Sequence, residues 1–148
     1  MDAQTETVTA FFQNDHRRLD TLYERYQEAR ANRPEEAPAL LGDFQQGLRQ
    51  HIAWEEEHLF PLFEEHTGMQ LAGPTEVMRQ EHREIERVLG YMDEALAAGR
   101  PEGLPDLEEQ LQDRLGLHNA KEEQVLYPGI DGLLDSGARA ELFTRIRG

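Results

Sequence analysis

Apolar residues recur at steps of three and four along four stretches of the chain, a spacing typical of amphipathic helices. Segments rich in proline and glycine at 31–38, 67–74 and 97–105 separate the stretches, and a similar segment follows at 127–132. Such segments are typical of loops. Because each stretch is longer than an ordinary β-strand, the pattern predicts four long helices with loops between and after them.

Short connections between long helices favour antiparallel neighbours. The expected fold is therefore all-α, an up-down-up-down antiparallel four-helix bundle over about residues 5–128. Residues 138–147 carry a further helical pattern and predict a short C-terminal fifth helix that caps one end. A length of 148 residues suits one hydrophobic core, so residues 1–148 are expected to form a single domain.

Polar residues interrupt each apolar stripe near its middle. Every stripe contains one histidine, and in two stripes a glutamate follows one helical turn later; the fourth stripe then continues to Val125. A buried ionised carboxylate is costly unless it is paired or binds a metal ion, so packing does not explain these choices. The interrupting residues are His16, His51, Glu55, His82, His118 and Glu122.

The second half of the chain repeats the first. The segment DHRRLD at 15–20 resembles EHREIE at 81–86, and HIAWEEEHLFP at 51–61 resembles HNAKEEQVLYP at 118–128. The two halves are therefore predicted to be related by a pseudo-twofold axis through the bundle.

The repeat also sorts the six histidines. His58 aligns with Val125 and His66 aligns with Leu133, so neither has a histidine mate. A site built on the pseudo-twofold axis leaves out both of them and uses the four histidines that recur, which are His16, His51, His82 and His118.

The recurring residue types suit a metal site. Residues i and i+4 share a helix face, so the pairs His51/Glu55 and His118/Glu122 each point to one centre. Cysteine is absent, which excludes thiolate ligands and disulfides. Imidazole binds iron and similar metals, and a carboxylate can bridge two ions. Four histidines and two bridging glutamates fit two ions, with an oxo or hydroxo group completing the bridge and one open position on each ion.

The pattern H…HxxxE…H…HxxxE, with the tails ExxLFP at 56–61 and ExxLYP at 123–128, resembles the hemerythrin-like (HHE cation-binding) family over about residues 8–128. The resemblance implies a non-haem di-iron centre, Fe–O–Fe or Fe–OH–Fe, carried by a four-helix bundle. The metal ligands that it implies are His16, His51, Glu55, His82, His118 and Glu122.

The chain departs from the oxygen-carrying hemerythrins in two places. Those proteins have His-x-x-x-His on the third helix, where this chain has His82 and Glu86, and they end with His-x4-Asp, where it has His118-x3-Glu122. Glu86 is therefore a candidate seventh ligand. The pattern is closer to the branch with iron-centre repair proteins and the iron-sensing domain of an F-box ubiquitin-ligase subunit, although these 148 residues contain neither a cysteine-bearing domain nor an F-box.

Two other metal chemistries fit less well. A ferritin-like carboxylate site needs two Glu-x-x-His motifs, and Glu55/His58 is the only candidate. The His-Glu-x-x-His motif of one class of zinc hydrolases does not occur in this sequence. The aromatic residues on or near the stripes are expected to pack in the core; they are Tyr23, Tyr26, Tyr91 and Trp54.

Charge and hydropathy limit the partners. A net charge of -15 repels phosphate backbones, so no nucleic acid is expected. No apolar run approaches the roughly 20 residues of a membrane span, so no membrane partner is expected. The acidic, polar N-terminus lacks the pattern of a signal peptide, and a cytoplasmic location is expected.

The leading functional hypothesis is a di-iron protein that binds or reacts with O₂, NO or peroxide at the open iron positions. These positions are expected to face an apolar pocket formed by Phe12, Leu48, Ile85 and Leu115. The alternative is a non-catalytic sensor of iron, oxygen or redox state with a partner protein, or an iron-handling protein for repair or storage. A monomer or weak dimer is expected, and the pattern does not decide whether the chain is an enzyme.

Overall fold

Seven α-helices form the described part of the protein. The computed structural model describes residues 6–69 and 73–148, and every regular element in these ranges is helical. None of these helices combines the length and the apolar character that crossing a bilayer requires. The helices are α1 (Val8–Asn32), α2 (Ala37–Trp54), α3 (Phe60–Thr67), α4 (Pro74–Ala97), α5 (Leu104–Lys121), α6 (Tyr127–Leu133) and α7 (Ser136–Arg147).

The seven helices make four long rods and a short fifth helix. Single π-helical turns, Glu55–Leu59 and Glu122–Leu126, join α2 to α3 and α5 to α6 without a break. Short 3-10 turns at Pro34–Glu36 and Pro101–Gly103 begin the second and fourth rods. Helix α1 packs on α2, and α4 packs on α5. The predicted all-α antiparallel bundle with a short C-terminal helix is confirmed.

The structure differs from the sequence prediction in two details near the second π turn. Segment 127–132 was expected to be a loop but lies in α6, because Pro128 falls in the first turn of that helix, where no N–H is needed. Val125 was expected in the core but is 68% exposed. The π turn adds a residue to the helical turn, so Leu126 takes the buried place instead.

The start of α1 is fixed by both halves of the chain. The Thr7 side chain accepts a hydrogen bond from the Ala10 N–H. The Asp131 carboxylate, near the end of α6, accepts from the N–H groups of Val8 (2.8 Å) and Thr9 (3.0 Å). A carboxylate at this end satisfies free N–H groups and complements the helix dipole. The end of the fourth rod is thereby tied to the beginning of the first.

A layer of polar side chains divides the interior into two apolar cores. One core lies on the side of the layer that contains a small cavity, and we call it the cavity-side core. Its residues are Leu19, Tyr23, Tyr26, Ala37, Leu41, Phe44, Leu48, Ile52, Ile85, Val88, Leu89, Met92, Leu104 and Leu111. The other, the α7-side core, contains Val8, Phe12, Leu59, Phe60, Met78, Leu126, Tyr127, Ile130, Leu134, Leu142, Phe143 and Ile146. The polar layer between them contains the candidate site.

Candidate metal centre

The six residues singled out by the sequence lie together in the polar layer. All are buried, and the most exposed of them, His16, is only 4% exposed. Their nitrogen and oxygen atoms form two groups within which every atom lies within 4.8 Å of the others. One group is Glu55, His82, His118 and Glu122, and the other is His16, His51 and Glu122.

Each glutamate faces two histidines, one with each carboxylate oxygen. Glu55 Oε1 lies 3.0 Å from His82 Nε2, and its Oε2 lies 3.4 Å from His51 Nε2. This arrangement lets one carboxylate face two neighbouring cation positions at once.

Glu122 repeats the arrangement in the second half of the chain. Its Oε1 lies 3.1 Å from His16 Nε2, and its Oε2 lies 3.2 Å from His118 Nε2. Glu122 therefore belongs to both groups of candidate ligand atoms, and Glu55 belongs to one and approaches His51 of the other. We call the two candidate positions the His82–His118 position and the His16–His51 position after their histidines.

Three atoms of the His82–His118 position have no hydrogen-bond partner although they are fully buried. They are Glu55 Oε1, Glu122 Oε2 and His82 Nε2. His82 Nε2 approaches Glu55 Oε1 to 3.0 Å, but without hydrogen-bond geometry. Unpaired buried polar atoms are costly. One cation would satisfy all three, and this set of imidazole and carboxylate donors suits iron.

A second set of carboxylates holds the histidine rings from outside. Each Nδ1 faces one of them, so its N–H donates outward and leaves the Nε2 lone pair directed into the layer. The pairs are His16 with Glu123 at 2.6 Å, His51 with Asp15 at 2.8 Å, His82 with Glu56 at 2.6 Å and His118 with Glu81 at 2.8 Å.

These outer carboxylates were missed by the sequence analysis, although the repeat contains their signal. Asp15 directly precedes His16, and Glu81 directly precedes His82. Glu56 and Glu123 each follow the glutamate of the layer. All four are therefore related by the same pseudo-twofold repeat as the residues that they support.

The charged groups of the layer shift one another's pKa values in the ion-free chain. Burial by itself would lower the pKa of His51 and His82, but the carboxylates around them, Glu55 foremost, outweigh burial and raise the pKa values to about 10 and about 9. Burial would conversely raise the pKa of Glu55, but His51 and His82 hold it well below its usual value. The histidines and carboxylates of the layer thus favour each other's charged forms, and an ion bound at Nε2 would take the place of a proton there.

Tyr127 is a further polar residue in the layer, and it lies at the His16–His51 position. Its hydroxyl donates to Glu55 Oε2 and lies 2.8 Å from Glu122 Oε1. It also lies 3.4 Å from Nε2 of both His16 and His51. Burial and the two carboxylates raise the pKa of Tyr127 well above its usual value, so the phenol stays protonated.

Tyr127 is not among the tyrosines that the sequence predicts in the core. Of the predicted ones, Tyr23 and Tyr26 pack in the cavity-side core, whereas Tyr91 is 51% exposed. The signal was the tail of the repeat, where Phe60 in the first half corresponds to Tyr127 in the second.

The remaining candidate residues lie outside both groups of metal-ligating atoms. Glu86 is 39% exposed, and its carboxylate lies 3.7 Å from Arg83. His58 is half-buried and belongs to neither group. His66 is exposed in the last turn of α3, with Nδ1 2.8 Å from the Leu62 carbonyl oxygen.

A small cavity of about 20 Å³ lies between the polar layer and the cavity-side core, and the four histidines of the layer line it. This is room for about one water-sized molecule. Leu48, Ile85 and Leu115 line it as expected. Phe12 does not, because it lies in the α7-side core, where its ring stacks on Tyr127 at 5.1 Å between ring centres.

A cleft of about 550 Å³ between α1 and α5 leads toward the cavity. The two spaces share lining residues, so the cleft adjoins the cavity beside the histidines. Burial, with Glu24 and Glu123 nearby, raises the pKa of Asp20 at this junction. The shared residues are His16, Asp20, Phe44, Leu115 and Asn119.

Comparison with known proteins agrees with this geometry. The iron-sulfur cluster repair protein DnrN of Neisseria gonorrhoeae is 31% identical over 102 residues, which cover 64% of this chain and 65% of that protein. The chain thus spans slightly less than two thirds of this relative's length. No solved structure matches the chain. The family model of the Hemerythrin HHE cation binding domain matches residues 7–145, which include the whole bundle and most of α7. The chain belongs to the hemerythrin HHE cation-binding domain family.

Proposed function

We propose that the chain is a non-haem di-iron protein that binds or reacts with O₂, NO or peroxide. The observation that carries the proposal is the group of three unpaired buried atoms, Glu55 Oε1, Glu122 Oε2 and His82 Nε2, within a layer of six metal-ligating side chains. Membership of a cation-binding family supports the same conclusion.

The two positions of the layer would hold one iron ion each. His82 and His118 would bind one ion, the histidine pair of the other position would bind the second, and Glu55 and Glu122 would contribute one oxygen to each. Bound iron supplies open coordination positions and one-electron redox chemistry.

The chain's own residues prepare the layer for this role. The Nδ1 hydrogen bonds to the outer carboxylates fix the tautomer and orientation of each imidazole ring. Leu48, Ile85 and Leu115 give the cavity an apolar wall that favours a small, weakly polar molecule over bulk water. Asp20 and Asn119 form the polar junction with the outer cleft.

Metal analysis of protein from iron-supplemented cells tests the cofactor. We expect two iron ions per chain, and we expect His51→Ala to lose iron because it removes a ligand of one position. His58→Ala is the matched control, since it removes a histidine outside both groups and should leave the iron content unchanged. Zinc alone in the wild type, or equal iron in the two variants, would contradict the proposal.

Addition of NO to the anaerobic ferrous protein tests the reactive positions. We expect new visible absorption and an altered electron paramagnetic resonance spectrum, because the cavity gives a diatomic molecule access to the histidine face of the layer. The ion-free protein is the control and should not respond. An unchanged spectrum with NO, O₂ and peroxide alike would refute small-molecule binding at the site.

A second candidate function is iron delivery for cluster repair. It is favoured by the relative from Neisseria gonorrhoeae, which is named an iron-sulfur cluster repair protein. The chain has no cysteine, so an iron–sulfur cluster would be assembled on another protein, with iron as the cargo.

Isotopic iron separates delivery from ligand binding. Protein loaded with ⁵⁷Fe is mixed with an acceptor protein whose cysteines normally bind a cluster but which has been stripped of it, together with sulfide and a thiol reductant. Delivery predicts ⁵⁷Fe in the new cluster, formed faster than with the same amount of free ferrous iron. No advantage over free iron would leave the small-molecule role as the better account.

A further inference from the structure

We propose that Tyr127 makes the two metal positions unequal, so that the His82–His118 position binds its ion first and more tightly. The inference rests on the proposed two-ion function and deepens it by assigning an order of binding. It starts from Tyr127, whose hydroxyl has no counterpart on its repeat mate Phe60.

Phe60 and Tyr127 are repeat mates with matching placement. The Phe60 ring lies 5.9 Å from the His82 ring, and the Tyr127 ring lies 5.9 Å from the His16 ring, measured between centres. Only Tyr127 carries a hydroxyl, and that hydroxyl contacts both glutamates of the layer. The positions therefore have the same types of ligand but different neighbours.

An ion entering the His82–His118 position displaces no hydrogen bond from three of its ligand atoms. Glu55 Oε1, Glu122 Oε2 and His82 Nε2 are buried and unpaired. Because burial of these atoms without a partner is unfavourable, the first cation gains their full interaction.

An ion entering the His16–His51 position must compete with Tyr127. The two carboxylate oxygens available there, Glu55 Oε2 and Glu122 Oε1, already contact its hydroxyl. Hydrogen bonds to charged acceptors are stronger than neutral ones, and a buried hydroxyl that loses them is left without a partner. We expect this competition to weaken the second position roughly tenfold to a hundredfold.

Titration of the metal-free protein with Zn²⁺ tests the order. Nitrogen-15 NMR of the histidine rings identifies which Nε2 atoms bind at one equivalent of metal, and calorimetry gives the two affinities. In the wild type, His82 and His118 should shift first, and His16 and His51 only with the second equivalent. Repulsion between two bound ions can also separate the affinities, so the variants decide the cause.

Tyr127→Phe removes the competing hydroxyl, and the affinity of the His16–His51 position should rise roughly tenfold or more. Tyr23→Phe is the matched control, because it removes a buried hydroxyl that lacks a hydrogen-bond partner and lies in the other core. It should leave the order and both affinities unchanged. A Tyr127→Phe protein that keeps the wild-type order and affinities would overturn the inference.

Phe60→Tyr tests the inference while Tyr127 stays in place. A hydroxyl at each position should remove the preference, so that both histidine pairs shift together. The double variant Phe60→Tyr/Tyr127→Phe should reverse the order. Simultaneous filling in the wild type would overturn the order and leave the two-ion proposal standing, whereas binding of fewer than two Zn²⁺ and fewer than two Fe²⁺ ions would overturn both.

Discussion

The two sides of the polar layer are built differently. On the cavity side, aliphatic residues leave a space of about 20 Å³ that all four histidines line and neither glutamate reaches. On the α7 side, the aromatic rings of Phe12, Phe60 and Tyr127 lie against the layer. A small molecule would thus approach the candidate ligands from the cavity side of the layer, and packed aromatic rings support them from the α7 side.

The π turns help to explain the difference. Both begin at a glutamate of the layer and continue into α3 and α6. The turns and these two helices together supply five residues of the α7-side core, which are Leu59, Phe60, Leu126, Tyr127 and Ile130. Helix α7 packs against the turn Glu55–Leu59. The face that holds the glutamates is therefore closed by additional chain, whereas the face with the cavity is closed by the bundle helices alone.

The largest expected effect concerns the packing of aromatic rings against the layer on the α7 side. Phe12 is fully buried, and its ring contacts His51 edge-on at 5.3 Å and stacks on Tyr127. Phe12→Ala should reduce the free energy of unfolding by about 3–5 kcal/mol, because the residual cavity lies in a packed aromatic cluster. Urea denaturation of the ion-free protein measures it. The control Val125→Ala, at a 68% exposed site, should change stability by less than about 0.5 kcal/mol; a similarly small loss for Phe12→Ala would show that the closed side is loosely packed.

A matched pair of enlargements tests the packing difference directly. Leu59→Phe on the α7 side, where Leu59 is fully buried, should cost about 1–3 kcal/mol by overpacking. Leu48→Phe on the cavity side should cost less than about 1 kcal/mol, because the added atoms enter free space. Denaturation of both variants under one set of conditions gives the comparison. Equal costs would mean that the two sides are packed alike.

The same pair distinguishes the two sides by access. Leu48→Phe should slow NO binding to the ferrous protein about tenfold, or about 1.4 kcal/mol in activation free energy, because the ring fills the cavity beside the histidines. Leu59→Phe should leave the rate near that of the wild type. Stopped-flow absorption measures both rates, and iron content is checked first. A slower rate in Leu59→Phe alone would place the entry route on the α7 side.

The bundle could be predicted from sequence because its stripes follow the ordinary helical period. The π turns could not, since the same period was assumed on both sides of Glu122 and placed Val125 in the core. The repeat points to the right position, because the repeat mate of the buried Leu59 is Leu126 and not Val125. An internal repeat can thus correct the register of a helix where periodicity alone fails.

The six candidate metal ligands could be picked out from the sequence because histidine and glutamate are rare within apolar stripes. The outer carboxylates were not, since they lie on polar faces in a chain with 30 acidic residues, where position alone does not distinguish them. Tyr127 was missed for the opposite reason. Its ring fits an apolar stripe, and only the folded arrangement brings its hydroxyl to Glu55 and Glu122.

The bonds from Asp131 to Val8 and Thr9 have a consequence for how the molecule opens. They join positions up to 123 residues apart, so the first turn of α1 cannot fray without releasing the end of α6. Contacts of such long sequence separation slow folding and link local openings that would otherwise be independent. The rates of amide hydrogen exchange at the start of α1 should therefore match those at the end of α6, because the two helix ends open together.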